Sequence, residues 1–334
     1  MLGMILFFTP PGHCEASCPS TLLTKIRSLD IPGAVLIIGS ATMLFLALEY
    51  AAEGYPWRSA LVAGLLTGTF VTIVCFGTWQ IYLDERALII PRILRQRTML
   101  ASSIANIAMY AGLVVYIYFL AIYFQAIRGT SIVGSAVNML PLVVSCSVFS
   151  LVAGILVTKI GYFAPPAIFG LSIAMIGAGL MTMLGVNTST EDWAGFQILI
   201  GTGLGLALQQ GVFGVQAVLS AKDVPIGTSL ITFCQSLGGA LGVSIGNCVL
   251  LESLRGSGEK LLEEGVRVDE VIQAGATGFR RLVVDDIALE AVLSSYSHSL
   301  SRVFITAAVV IGVALLSSSF MEWKKATDEE KARG

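Results

Sequence analysis

Eight stretches free of Asp, Glu, Lys, Arg and His, each 18–31 residues long, limit what this sequence can fold into. They cover residues 31–48, 59–83, 98–127, 129–158, 160–190, 193–221, 224–251 and 303–321. A helix rises 1.5 Å per residue, so about 20 residues cross the roughly 30 Å hydrocarbon core of a bilayer. Each stretch therefore holds one crossing, and none comfortably holds two. The predicted fold class is an all-α integral membrane protein of about eight transmembrane helices, with the lipid bilayer as its solvent. Composition agrees: only 13% of the residues are charged, against roughly a quarter in soluble domains, and the mean hydropathy is +0.82. A net charge of -2 gives no electrostatic footprint for nucleic acid.

Basic residues in alternate loops set the orientation, because they are retained in the cytoplasm. With the N-terminus inside, the inner segments carry Lys25 and Arg27, then Arg86, Arg92, Arg95 and Arg97, then Lys159, Lys222, Lys324, Lys325, Lys331 and Arg333. The short outer loops carry only Arg58 and Arg128. Both termini are thus expected in the cytoplasm, and the plasma membrane is the preferred location. Asn187-Thr188-Ser189, a candidate glycosylation sequon, falls outside in this arrangement. The remaining basic residues lie in or beside the long segment 252–302, which weighs little in the rule. Its stretches 260–274 and 287–296 are expected as short amphipathic helices forming a solvated outer cap. Leu261, Val268 and Ile272 are placed on one face, and Gly265 interrupts the pattern.

At the other extreme of the chain, residues 1–8 are apolar but are stopped by Pro10, Pro11 and Gly12, and read as the end of a longer helix. His13, Cys14 and Cys18 have the spacing of half a metal site without a second half, and read as a disordered, reduced segment. No metal and no cofactor are expected.

Charges inside spans are costly and usually functional. Glu49 alone qualifies, near Tyr50, Tyr55 and Trp57. It either reaches headgroup water, the preferred reading, or couples protons. Uncharged polar residues are more frequent: Asn106, Asn138, Gln209, Gln210, Gln216, Gln235 and Asn247. An amide in lipid must face another helix or an aqueous cavity. Each is either interhelical glue, at roughly 0.6–2 kcal/mol, or part of a path for a small, mostly apolar solute. Their spread over four spans favours some cavity, with Tyr110, Tyr116, Tyr118 and Tyr123 as possible wall residues. Gly201 and Gly205, and Gly238, Gly242 and Gly246, recur every fourth residue and mark tight helix contacts. Pro141 is expected to kink the fourth span. No span holds a His, Asp or Ser/Lys constellation fit for acid–base or nucleophilic work, so an enzyme is not expected.

Several of these residues also carry a resemblance. The runs GLGLALQQGVFGVQ (203–216), AKDVPIGTSL (221–230) and FCQSLGGALG (233–242), with PRILR (91–95), YFQ (123–125) followed by Gly129, LPL (140–142) and KIGY (159–162), are similar to the fungal drug:proton antiporters of fourteen spans in the major facilitator superfamily. The likeness extends from about Leu29 to Trp323. It implies that the chain corresponds to spans seven to fourteen of that family. Residues 1–30 would be a cytoplasmic segment with the remnant of a preceding span. Residues 31–83 would be two linking helices and 84–97 a basic loop. Residues 98–321 would be the C-terminal six-helix bundle with outer loop 252–302, and 322–334 a cytoplasmic tail. The N-terminal bundle, with its proton-coupling charges, would be missing. Gly211 stands where the family more often has Pro, implying a more flexible helix.

The resemblance implies a secondary transporter, driven by a proton gradient, that exports small hydrophobic drugs, toxins or secondary metabolites. As a truncated form it would not transport alone, and another membrane protein would have to supply the missing bundle. The alternative is a truncated paralogue that does not transport and associates with another carrier.

Overall fold

The computed structural model describes residues 30–283 and 285–322, all but the side chain of Arg281. The sequence-predicted features at residues 1–29, including His13, Cys14 and Cys18, and at 323–334 lie outside the described residues. Thirteen α-helices are present among the described residues: α1 (Ile31–Glu53), α2 (Ala60–Leu83), α3 (Pro91–Leu94), α4 (Arg97–Ala126), α5 (Ile132–Asn138), α6 (Leu140–Ile160), α7 (Ala164–Met181), α8 (Thr190–Ala207), α9 (Gln210–Val218), α10 (Val224–Gly256), α11 (Gly258–Glu263), α12 (Val268–Leu282) and α13 (Asp286–Ser319). Eight units are long and apolar enough to cross a membrane: α1, α2, α4, α6, α7, α8 with α9, α10 and α13.

Six of these pack reciprocally. The first, α4, lies against α10 and α13, the last two; the fourth, α8, lies against α6 and α7. An α7–α13 contact joins the two groups. Three helices thus mirror three others in their contacts, the pattern expected of an internal repeat in transporter bundles. The largest buried side chains, Tyr116, Phe119, Tyr123 and Phe124 of α4 and Phe304 of α13, fill the middle. Small residues let backbones approach: a Cβ on Gly203 of α8 would run into Gly170 and Ala174 of α7, and one on Gly205 into the Cys146 carbonyl of α6.

The remaining spans, α1 and α2, pair with each other and touch the bundle through α1 and α10. Their seam has a seven-residue period: Gly33, Ser40 and Ala47 are buried on α1, Val62, Thr69 and Phe76 on α2. Ala51 and Ala52 of α1 pack against Cys248 of α10, and most of the remaining surface of both helices faces outward, as suits lipid-bathed helices.

Loops gather at two ends. At the basic end, loop 84–97 meets the turn 219–223, where Arg92 bonds Asp223, and Glu322 N–H donates to Thr98 Oγ1 near the chain's last described residue. At the cap end, arginines serve the orphan carbonyls of helix C-termini. Arg255 donates to Ala52 O, and Arg280 to Ala126 O and Ile127 O at 3.0 and 2.6 Å. Arg128 reaches Val186 O and Thr188 O. Gly54 ends α1 at φ +102°, a conformation that side-chain-bearing residues rarely adopt, with the Arg255 guanidinium against it.

Two expectations need correction. The stretch 287–296 is not a separate cap helix: it is the outer part of α13, which runs unbroken for 34 residues, about 50 Å, and so outlasts the hydrocarbon core. The cap segment is also not merely solvated. Leu261, Val271 and Phe279 are buried in the main core, with Phe279 stacked on Tyr296 at 5.2 Å, and Val271 takes the inward position expected of Ile272. At Pro141 the expected interruption of the fourth span is present: Pro141 stands in the first turn of α6, the helix is broken before it at Met139, and the Asn138 carbonyl turns to Gln197.

Candidate substrate path

The contact between α4 and α10 assembles the polar group nearest the middle of the bundle. A Cβ on Gly238 would overlap the Ile107 carbonyl, one on Gly242 the Ala111 carbonyl, and one on Gly246 the Phe119 ring, so these glycines set how close the helices lie. Gln235, one turn before Gly238, is thereby carried alongside Asn106. Its Nε2 donates to Asn106 Oδ1 at 3.1 Å, while Asn106 Nδ2 donates to the Ser102 carbonyl of its own helix at 2.8 Å. Asn106 is 2% exposed, and the amide pair answers the polar demand that lipid would leave unmet.

Gly211 belongs to this group through a close approach, not through backbone freedom. A Cβ there would lie 2.8 Å from Asn106 Cγ, so glycine makes the room that the buried amide occupies. That packing reason stands beside the expectation of a more flexible helix at this position, where the span is interrupted between Ala207 and Gln210.

On the open side of the same contact, Tyr110 and Val114 of α4 and Gln235, Gly239 and Val243 of α10 line a groove of about 400 Å³. Tyr110 and Gln235 are half-buried, so one amide joins the buried Asn106 to the groove. An apolar trough with a hydroxyl and an amide at one edge suits a small, mostly apolar solute with a single polar group.

The other candidates are not part of this group. Gln209 and Gln216 are exposed at the start and on the far turn of α9. Gln210 is 1% exposed and turns back to its own Leu206 carbonyl, with its Oε1 unpartnered. Asn247 is half-buried further along α10. Asn138 takes part through its backbone, whose carbonyl accepts from Gln197 Nε2 at 3.0 Å. Tyr116 and Tyr123 are core residues, donating to Phe304 O and Gly185 O, whereas Tyr118 is exposed. Glu49 is exposed near the cap end of α1, away from the Asn106 group. Asn187 is exposed in the turn before α8, while Ser189 of its sequon is occupied in capping that helix.

Several buried polar residues escaped the sequence reading, Gln197 and Asp30 foremost. Gln197 is fully buried and pins the α5–α6 break. Asp30 precedes α1 and accepts from Gly33 N, Trp79 Nε1 and Gln80 Nε2 at 2.8 Å each, and from Leu88 N at 3.2 Å. Burial alone would raise the Asp30 pKa; these four donors outweigh it and hold the carboxyl below its ordinary value. The signal was available for Asp30, an Asp two residues before a Pro at a helix start.

The described residues thus form a six-helix bundle of reciprocal contacts, two paired spans beside it and a half-polar groove, an all-helical membrane protein by length and composition, and similarity to known proteins adds to this. No family model matches the chain. It is 37% identical over 307 residues to the MFS-type transporter ltbE of Aspergillus luteorubrus, covering 92% of this chain and 56% of that protein. It is 35% identical over 329 residues to the MFS-type transporter pigP of Monascus ruber, covering 97% and 57%. Identity to the aspyridones efflux protein of Neocamarosporium betae is 33% over 325 residues, covering 96% and 57%. The chain therefore spans little more than half the length of these curated relatives. Among solved structures, a bacterial homolog of the human lysosomal transporter Spinster, inward-facing and occupied, aligns with a TM-score of 0.54 at 17% identity, covering 86% of this chain and 64% of that one. At that identity the likeness is one of fold. By sequence the chain is homologous, over nearly its whole length, to the MFS-type transporters and efflux pumps.

Proposed function

We propose that these eight spans form one wall of a secondary transporter that exports small hydrophobic metabolites or drugs across the plasma membrane, with the basic end in the cytoplasm. The observation that carries the reading is the Asn106–Gln235–Tyr110 group, placed at the edge of an apolar groove on the open side of α4 and α10. Relatives named MFS-type transporters at 32–37% identity, and relatives named efflux protein or efflux pump at 32–33%, support it. α1 and α2 act as a linking pair, and a second bundle supplies the facing wall and the proton-coupling charges. Solute would then sit between two bundles that rock about it. Gln210, Gln216, Gln209, Asn138 and Asn247 are secondary candidates for the path, and Glu49 for proton coupling.

Liposomes test this directly. The chain is reconstituted alone, and also with the part of the Monascus ruber relative that lies outside the alignment, and export of a hydrophobic fluorescent dye is followed under an imposed pH gradient. We expect no export by the chain alone. With its complement we expect gradient-dependent export, which Gln235→Ala reduces about tenfold. Proton-dependent export by the chain alone would overturn the one-wall reading. Full activity of Gln235→Ala would remove the groove from the path, and co-purification without export would favour an accessory role.

A further inference from the structure

We infer that the crevice between α1, loop 84–97 and the start of α10 seats one acyl chain of an anionic phospholipid, whose phosphate is met by the cations beside it. The crevice has a volume of about 300 Å³ and is lined by Ile37 of α1, Leu88, Ile90 and Ile93 of the loop, and Ile226 and Phe233 of α10. The one hydroxyl in the lining, Ser229 Oγ, is already spent on the Pro225 carbonyl of its own helix. Nothing in the floor offers a soluble polar ligand a partner, and its size lies at the lower end of small-ligand sites, enough for a slender chain.

The rim has the opposite character. Arg92, adjacent to Ile93, spans to Asp223, one turn before Ile226, through two contacts of 3.2 Å, and also bonds Glu85. Counted together, the same two loops carry Arg86, Arg92, Arg95, Arg97 and Lys222 against Asp84, Glu85 and Asp223, a net charge of +2, and all but Asp223 are exposed. This surplus of positive charge borders an apolar slot. Trp79 and Tyr82 pair at 6.0 Å at the adjoining end of α2, with Tyr82 81% exposed, which puts this end at headgroup depth. Trp79 is tied to the slot itself, since its Nε1 and the Leu88 N–H share the Asp30 carboxylate. An amphiphile with an apolar chain, a negative head and a boundary at this depth is an anionic phospholipid, and basic pockets between spans on the cytoplasmic side are where such lipids bind. The inference does not depend on transport.

Native mass spectrometry of the purified chain in neutral detergent tests it, with dioleoyl-phosphatidylserine and dioleoyl-phosphatidylcholine offered in competition. We expect one phosphatidylserine retained per chain with a preference of about tenfold over phosphatidylcholine. Ser229→Phe should fill the slot from an exposed position and cut retention about fivefold, while Arg95→Gln with Lys222→Gln should bring the two lipids close to parity. Thermal unfolding in lipid-free detergent, unchanged in the variants, separates a lost seat from a lost fold. Soluble glycerophosphoserine should fail to displace the lipid. Equal retention of both lipids by the unmodified chain, undiminished retention by Ser229→Phe, or full displacement by the chainless headgroup would each overturn the inference.

Discussion

The six-helix bundle and the α1–α2 pair face the same difficulty, since apolar helices in an apolar solvent gain nothing from hiding apolar surface. The bundle answers with close approach along whole helices, at Gly170 and Gly203 between α7 and α8, at Gly201 and Gly205 of α8 against α6, and at Gly238, Gly242 and Gly246 of α10 against α4. The pair meets the bundle along one face of α1 and is tied at its two ends. Asp30 gathers donors from α1, α2 and loop 84–97, and Arg255 of α10 takes the Ala52 carbonyl at the other end, where Trp57 Nε1 also meets Glu252. Shape holds the first region; a few terminal hydrogen bonds hold the second. A bundle built on shape resists repacking and suits a rigid wall, whereas a pair tied at its ends can be released by single substitutions.

The largest expected effect belongs to the bundle. Gly242→Leu drives a side chain into the Ala111 carbonyl and should cost about 3 kcal/mol or more, at the top of the overpacking range, read as a lowered unfolding temperature in detergent. Gly154→Leu supplies the contrast, because nothing lies within 4 Å of a Cβ there. It should be neutral or mildly stabilising, as replacing a helical glycine normally is. Equal losses from both would show that shape does not hold the bundle.

Next comes the Asp30 tie. Asp30→Ala strands the Trp79, Gln80 and Leu88 donors and should cost about 2–3 kcal/mol, with roughly half retained by Asp30→Asn, which keeps one carbonyl acceptor. Amide exchange at Gly33 and Leu88 should accelerate while exchange within α8 stays constant. The pH dependence has a definite sign. Because the folded-state pKa is lowered, the stabilisation is complete above about pH 4, the unfolded value, and is lost as pH falls further through the folded value. Arg255→Gln should matter less, about 1–2 kcal/mol for one charge-assisted bond to Ala52 O, and should loosen only the end of α1.

How much of this was legible in the sequence follows from the same physics. Span number and rough limits were legible because a charge in hydrocarbon is costly, so charge-free stretches mark crossings whatever their packing. The limits failed where a helix leaves the membrane without ending: α10 continues through Glu252 and Arg255, and α13 starts at Asp286, because helix continuity ignores the bilayer surface. The seven-residue recurrence of Gly33, Ser40 and Ala47 was available and foretold a paired seam. The site was only partly legible. Amide residues could be listed, but which of them meet depends on the rotation of α4 against α10. That rotation brings Asn106 to Gln235, while the exposed Gln209 and Gln216 lie on α9, whose own rotation turns them outward.

The smallest effect should come from the ion pairs joining the basic loop to the turn before α10, although the clasp is conspicuous. Arg92 bonds Glu85 at 2.8 Å and Asp223 at 3.2 Å, and the guanidinium beside Asp223 holds that carboxyl below its usual range. Yet the Arg92 side chain is 49% exposed, and an exposed pair gives back in side-chain entropy and hydration most of what attraction supplies. Arg92→Gln should therefore shift thermal unfolding less than Arg255→Gln, although Arg92 makes more polar contacts. The small shift should vanish at 1 M salt, where the Debye length falls to about 3 Å, whereas the Asp30 and Arg255 effects persist. A salt-resistant loss at Arg92 larger than that at Arg255 would reverse the ranking. It would mean that contacts between loops, not ties at helix ends, secure the parts of this protein that shape does not.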